Sequence, residues 1–161
     1  MGEKILETIN WYAAKVINGK DYVRIILARA GIEVYNTRVV PNIFFVHCTQ
    51  AQMRYMAFEL FGKLAFYRDP ERREAQPIDE GQMKAFVIVT SAPDEEVILL
   101  DRPAPEFLQG ERVRVIDGPF KGSEGVVKRV KGDRRLVVCI EGIAAVATSY
   151  IPPRNLEKIT D

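Results

Sequence analysis

Five cations crowd one short stretch of the chain: Lys128, Arg129, Lys131, Arg134 and Arg135, set around a Lys131-Gly132-Asp133 turn signal. Basic side chains at that density on one hairpin suit contact with nucleic-acid phosphates. The same charges suit a hairpin that is merely solvated, and the residues alone favour neither reading. Other chemistry is scarce. The single histidine, His47, stands beside Cys48, and the second cysteine is Cys139. A zinc site would have to draw on Cys139 and on carboxylates from elsewhere, at spacings unlike those of metal-binding motifs. A Cys48–His47 catalytic pair is opposed by geometry, because neighbours on a strand point to opposite faces. No glycine-rich phosphate loop of the nucleotide-binding kinds occurs. Asp94-Glu95-Glu96 lies in a proline-containing stretch and reads as solvated. The expectation is a protein that binds rather than catalyses, with no metal and no cofactor.

Composition narrows the partners. The 161 residues carry 23 Lys+Arg against 22 Asp+Glu, a net charge of +1. That near-balance argues against coating nucleic acid by bulk charge. The average hides a split: residues 1–109 hold 13 basic and 15 acidic residues, and residues 110–161 hold 10 and 7. Two cysteines are too few for a disulfide framework. No apolar run approaches the ~18–20 residues of a membrane span, and MGEKILETINWYAAKV lacks the pattern of a signal peptide. A cytoplasmic protein without a membrane partner is expected.

The elements that must position these residues fall into two groups. Ile9 to Ile17 is apolar and rich in aromatic and β-branched residues, and it reads as a strand ending at Asn18-Gly19. From Lys20 to Ala30 the period changes, with Tyr22, Val23, Ile26, Leu27 and Ala30 on one helical stripe and Gly31 just past the end. Ile32 to Val40 is short and β-branched, with a turn near Asn36, and leads into the strand Pro41 to Cys48, on which Ile43, Phe45 and His47 share one face and Phe44, Val46 and Cys48 the other. Thr49 and Gln52 form a capping box for a second helix whose stripe is Met53, Met56, Ala57 and Leu60. Leu64 to Arg68 reads as a strand. Asp79 and Gln82 start a third helix, with Met83, Phe86, Val87 and Thr90 on its apolar face.

After a linker the pattern becomes all-β. Arg112 to Asp117, Gly125 to Val130, Leu136 to Ile140, Ala144 to Tyr150 and Asn155 to Ile159 are short, β-branched and separated by turn signals. Val97 to Leu100 has the composition for one more short strand. The fold class is α+β: a small sheet with packed helices, then a small five-stranded β-barrel whose closure removes exposed edges. The expected domains are 1–92 and 110–161, joined by a linker at 93–109.

Several stretches resemble a known family. VRVIDGPFKGSEGVVKRV resembles the KOW motif, and Gly118, Gly122 and Gly125 match its turn glycines. NWYAAKVINGKDYVRIILARAGIEV resembles the opening of the NusG N-terminal (NGN) domain, PNIFFV its aromatic-rich strand, and IPPRNLEKI the closing strand of a KOW barrel. In order and spacing the chain resembles NusG/RfaH-type transcription elongation factors. Its run KGDRRLVVCIEGIAAVATSYIPP looks similar to the UpxY-like antiterminators of Bacteroidetes, a resemblance that implies action on surface-polysaccharide operons.

The resemblance implies an NGN-like first domain and an SH3-like KOW barrel. It also implies that the first domain docks through an apolar pocket on the coiled-coil tip of the RNA polymerase clamp. The matching positions are Val40, Ile43, Phe45 and Phe66, with the stem of Lys15. Thr49, Gln50, Gln52 and Arg54 match the loop and helix start that reach the opposite polymerase lobe. Read as plain residues, the first set are core positions and Thr49 and Gln52 a helix cap, and the two readings are compatible. Lys128, Arg129, Lys131, Arg134 and Arg135 are the candidates for nucleic acid in the elongation complex. Two departures stand out. EVYNTRVVP is shorter than the basic hairpin common in the family, and Glu141 stands where an aromatic residue serves binding to a small-subunit ribosomal protein or a termination factor. A specialised antiterminator is favoured over a housekeeping NusG or a ribosome-associated KOW protein. The β-branched segments of 112–150 predict strands rather than a helical hairpin.

Overall fold

The computed structural model describes residues 8–92, 95–100 and 105–160. Part of the expected linker, including Asp94, lies outside them. The chain forms two compact units, one of residues 1–36 and 40–78, the other of residues 37–39 and 79–161.

The first unit runs β1 (Ile9–Val16), α1 (Lys20–Arg29), β2 (Glu33–Tyr35), β3 (Ile43–Thr49), α2 (Gln50–Glu59) and β4 (Leu64–Phe66). Its sheet is antiparallel throughout, in the order β2-β3-β1-β4. Helix α1 has no side-chain cap. Gly19 supplies its start in the left-handed conformation, and Gly31, at φ 74°, lets the Ile32 N–H reach back to the Leu27 carbonyl at 3.0 Å. The capping box of α2 forms as expected: Thr49 Oγ1 accepts from the Gln52 N–H at 3.1 Å, and Gln52 Oε1 accepts from the Thr49 N–H at 3.0 Å.

Both helices bury their apolar stripes against one face of this sheet. Val23 and Leu27 of α1 and Met53 and Met56 of α2 meet Tyr12, Ala14, Phe44, Val46, Cys48, Leu64 and Phe66. Each large side chain so buried contributes roughly 1.5–3 kcal/mol. The α1 stripe is narrower than its period suggests, since Tyr22 and Ala30 are exposed. The sheet face is narrow, and two helices share it.

The second unit begins with α3 (Glu80–Thr90), continues through β5 (Ile98–Leu99) and a 3-10 turn at Pro105–Leu108, and then forms β6 (Arg112–Val115), β7 (Glu124–Val130), β8 (Asp133–Ile140), β9 (Ala144–Tyr150) and β10 (Leu156–Lys158). Asp79 caps α3 by accepting from the Gln82 N–H at 2.9 Å. Gln82 Oε1 accepts from the Glu141 N–H at 3.3 Å. The expected strands of 112–150 are strands.

The expected closure is corrected. Among the described residues the sheet is an open antiparallel ladder of six strands, β10-β6-β7-β8-β9-β5, and not a closed five-stranded barrel. β5, drawn from the linker, extends one end, and three-residue β10 ends the other. The physical reason lies in what covers the sheet. Leu136 to Ile140 of central β8 are buried without alternation, so both faces of that strand are covered. Helix α3 packs on β7, β8 and β9 and buries Met83, Phe86 and Val89, supplying a layer that a closed barrel would not need.

Candidate polymerase-docking face and basic hairpin

Cross-strand register decides which candidates meet. Lys15 pairs with Ile43 and with Ala65, Ala13 with Phe45, and Tyr35 with Phe45. Direct partners share a face. Lys15, Ile43 and Phe45 therefore stand together on the sheet face opposite the helices. Phe66 does not join them. It pairs with Ala14, which pairs with Phe44, and it belongs to the helix-covered core. β4 brings Ala65, not Phe66, to the Lys15 row.

The loop before β3 is tied down from several sides. The Asn36 amide donates to the Ile43 carbonyl at 3.0 Å and to the Pro41 carbonyl at 3.3 Å. Lys20 Nζ donates to the Pro41 carbonyl at 2.7 Å, and the Ile43 N–H reaches the Val40 carbonyl at 3.2 Å. Val40 is thus held beside the start of β3. Phe45 is fully buried and Val40 and Ile43 nearly so, while Lys15 is exposed.

Beside His47, which alternation already placed here, the same face carries Trp11, Glu33 and Tyr35, which sequence reading did not assign to it. Trp11 pairs with His47, and their rings stack with centroids 4.5 Å apart and planes 14° apart. His47 Nδ1 lies 3.1 Å from Glu33 Oε1 on β2. Tyr35 and Phe45 lie 6.4 Å apart in a tilted ring contact. The strand sequences contain these aromatics, but only register sets them in rows.

At the start of α2, Thr49 and Gln52 are engaged in the cap, whereas Arg54 is exposed and Gln50 half-buried. Of these four polar candidates, Gln50 and Arg54 are left without a capping role.

The basic hairpin is divided by its own pairing. Lys128 pairs with Arg135, and Arg129 with Arg134, so the two pairs lie on opposite faces of the β7–β8 ribbon. Arg135 is buried. Its Nε donates to the Val130 carbonyl at 3.0 Å, and its Nη1 to the Thr148 carbonyl at 3.2 Å and to Glu96 at 3.1 Å. Its Nη2 lies 3.4 Å from Asp133. Arg135 is a structural anchor and offers nothing to a phosphate. Arg129 donates to the Gly132 carbonyl at 3.0 Å, and Lys131 occupies the turn with φ 50°. Arg134 and Lys131 are exposed. A β-bulge explains why Arg135 is so well held. Between Arg135 and Val137 the β8–β9 register shifts, and the Thr148 hydroxyl accepts from the Leu136 N–H at 3.1 Å in place of a ladder carbonyl.

The KOW-like glycines serve two needs. Gly118 and Gly122 adopt φ 92° and 95°, so their turn requires left-handed backbone. Gly125 is needed for space: a Cβ there would stand 2.3 Å from the Val137 carbonyl oxygen.

Cys48 and Cys139 lie in separate units and are both free and buried. Burial pushes each thiol from 9.0 up to about 11. Both are expected to resist alkylation in the native protein at pH 8 and to react once urea unfolds it, as mass spectrometry would read. Because the folded values are raised, the two thiols add stability below about pH 9, which is lost as pH rises from 9 towards 11. Rapid native-state alkylation would refute this.

Comparison with known proteins follows the same division. A model of the KOW motif matches residues 109–139. No curated protein matches the chain. A solved structure titled "Domain interaction in Thermotoga maritima NusG" aligns with 95% of this chain and 98% of its own, at 17% identity and a TM-score of 0.49. A "MjSpt4:Spt5 complex" structure aligns with 94% of this chain and 97% of its own, at 13% identity and a TM-score of 0.36. Likenesses this distant set no family for the whole chain; what the matches establish is a KOW motif across β6, β7 and most of β8.

Proposed function

We propose that the chain is a NusG-type transcription elongation factor that binds RNA polymerase through its first unit and reduces pausing or termination. The observation that carries the reading is the row of Lys15, Ile43 and Phe45 on the sheet face opposite the helices, in a chain that also holds a KOW motif. A cation beside buried aromatic and aliphatic side chains suits the apolar face of a partner helix, such as the coiled-coil tip of the polymerase clamp. Arg54 and Gln50 at the start of α2 extend the contact towards the opposite polymerase lobe. Bridging two lobes holds the clamp closed, which is a shift of population and not catalysis. The action is therefore that of a regulator without enzyme chemistry. Within this class we favour a specialised antiterminator of the UpxY-like kind, serving surface-polysaccharide operons. Glu141 is exposed in the turn where coupling to the ribosome or to a termination factor would call for an aromatic side chain. A ribosome-associated KOW protein is disfavoured, because the hairpin cations are split between two faces and Arg135 is consumed internally.

The test is a pull-down with core RNA polymerase. The full chain is expected to bind, and Lys15→Glu, an exposed change that spares the core, is expected to weaken binding about tenfold, which corresponds to ~1.4 kcal/mol. Ile43→Ala should weaken it further while circular dichroism shows an intact fold. Absence of binding, or binding indifferent to both substitutions, would sink the proposal.

A further inference from the structure

A second cluster of cations lies in the first unit, away from the docking row. Arg54 of α2, Arg68 just after β4 and Arg73 in the following loop line one cavity of about 300 Å³, together with Gln50, Phe66 and Glu74. Three arginines and one glutamate, all exposed, thus stand around it. Among the described residues, none of the three has an ion-pair or side-chain hydrogen-bond partner. The backbone that presents them is firmly built. The Asp69 carboxylate accepts from the Glu71 and Arg72 N–H groups at 2.8 and 3.2 Å, the Asp69 N–H reaches the Glu74 carbonyl at 2.9 Å, and Arg68 bridges Ala75. Arg73 sits in left-handed backbone, φ 58°, a conformation that glycine adopts freely and arginine does not. The loop keeps the charged side chain at that cost, as loops at binding sites do.

We propose that Arg54, Arg68 and Arg73 form a binding site for the phosphate group of a nucleotide, either a free nucleotide or one link of a single strand. One arginine comes from α2 and two from the loop that follows β4, and all three line one volume. A tetrahedral phosphate accepts hydrogen bonds from several directions and is met by such a set, whereas a carboxylate is satisfied by one guanidinium fork. Gln50 adds an amide donor. Phe66 gives the cavity an apolar wall, fit to cover the sugar or base that a phosphate carries. Glu74 opposes a fully ionised anion and sets the affinity below what three cations alone would give.

The site shares Gln50 and Arg54 with the polymerase contact proposed above but does not depend on it, and its test uses no polymerase. The intact chain is titrated with inorganic phosphate, with adenosine monophosphate and with a labelled oligothymidylate, followed by calorimetry and fluorescence anisotropy. Saturable binding of the mononucleotide identifies the free ligand as the source. Binding of the oligonucleotide alone, with affinity falling steeply as salt rises, identifies the strand. In either case Arg54→Ala and Arg68→Ala are each expected to lower affinity about tenfold, while Arg29→Ala, an exposed change on α1 outside the cavity, leaves binding unchanged. Arg73→Gly is the sharpest variant: it is expected to raise the thermal midpoint, by relieving the left-handed backbone, and to lower affinity together. No binding of any of the three probes, or binding that survives all three cluster variants, overturns the proposal. So does a polyglutamate peptide that binds as tightly as the phosphate ligands, since it would assign the cluster to a protein carboxylate.

Discussion

Replacing Arg135 with alanine is expected to destabilise the second unit by about 3 kcal/mol, whereas Arg134→Ala beside it should cost no more than ~0.5 kcal/mol. The two arginines are sequence neighbours of the same charge, and composition cannot tell them apart. Arg135 donates to the Val130 and Thr148 carbonyls and contacts Glu96 and Asp133. Its removal strands two carbonyls where water has little access, each at roughly 1–3 kcal/mol. Glu96 and Asp133 are well exposed, so the ion pairs themselves add little. Arg135→Lys should recover only part of the loss, since an ammonium cannot reproduce the fork that spans both carbonyls. The single tryptophan, Trp11, lies in the first unit and is blind to this change. The measurement is therefore amide hydrogen exchange of β8 and β9 together with urea unfolding followed by circular dichroism. Equal effects of the two substitutions would refute the anchoring role. Any loss of nucleic-acid binding in the Arg135 variant is expected to follow its loss of fold.

Gly125→Ala is expected to cost a comparable amount, about 3 kcal/mol, and to exceed Gly142→Ala. The added methyl at 125 would stand 2.3 Å from the Val137 carbonyl oxygen, and 3.2 Å from Leu136. The first obstacle is backbone in central β8, so relief requires moving the ladder. At Gly142 the φ of 76° is unfavourable for alanine, but nothing stands within 4 Å of the new atom, and the cost is roughly 1–2 kcal/mol. Thermal unfolding of the two variants compares them directly. A Gly125→Ala protein as stable as the parent would show that β7 and β8 do not approach each other this closely.

Much of the architecture was legible because its signals are local. The Thr49–Gln52 box, the Asp79 cap and Gly31 each act within one helical turn, and each sits where its residue type requires. Two-residue alternation in PNIFFVHC separated Ile43, Phe45 and His47 from Phe44, Val46 and Cys48, and the structure keeps that separation. The candidate site was less legible. Phe66 looked equivalent to Phe45 as an apolar residue on a neighbouring strand. Its face depends on β4 pairing with β1 in the register that sets Phe66 opposite Ala14. A shift of one residue would have exchanged it with Ala65. The hairpin cations looked equivalent for the same reason.

What the sequence determined by itself was the identity and order of the elements, the helix ends, and the glycine turns of the KOW motif. These follow from backbone preferences and short-range hydrogen bonds. Tertiary structure alone decided the partition of Lys128, Arg129, Arg134 and Arg135 between two faces, the burial of Arg135 and the open six-stranded ladder in place of a barrel. It also decided the convergence of Arg54, Arg68 and Arg73 on one cavity. Each of these depends on which distant segments pair and in what register. That choice minimises the free energy of the whole packed unit and leaves no mark on any short stretch of residues.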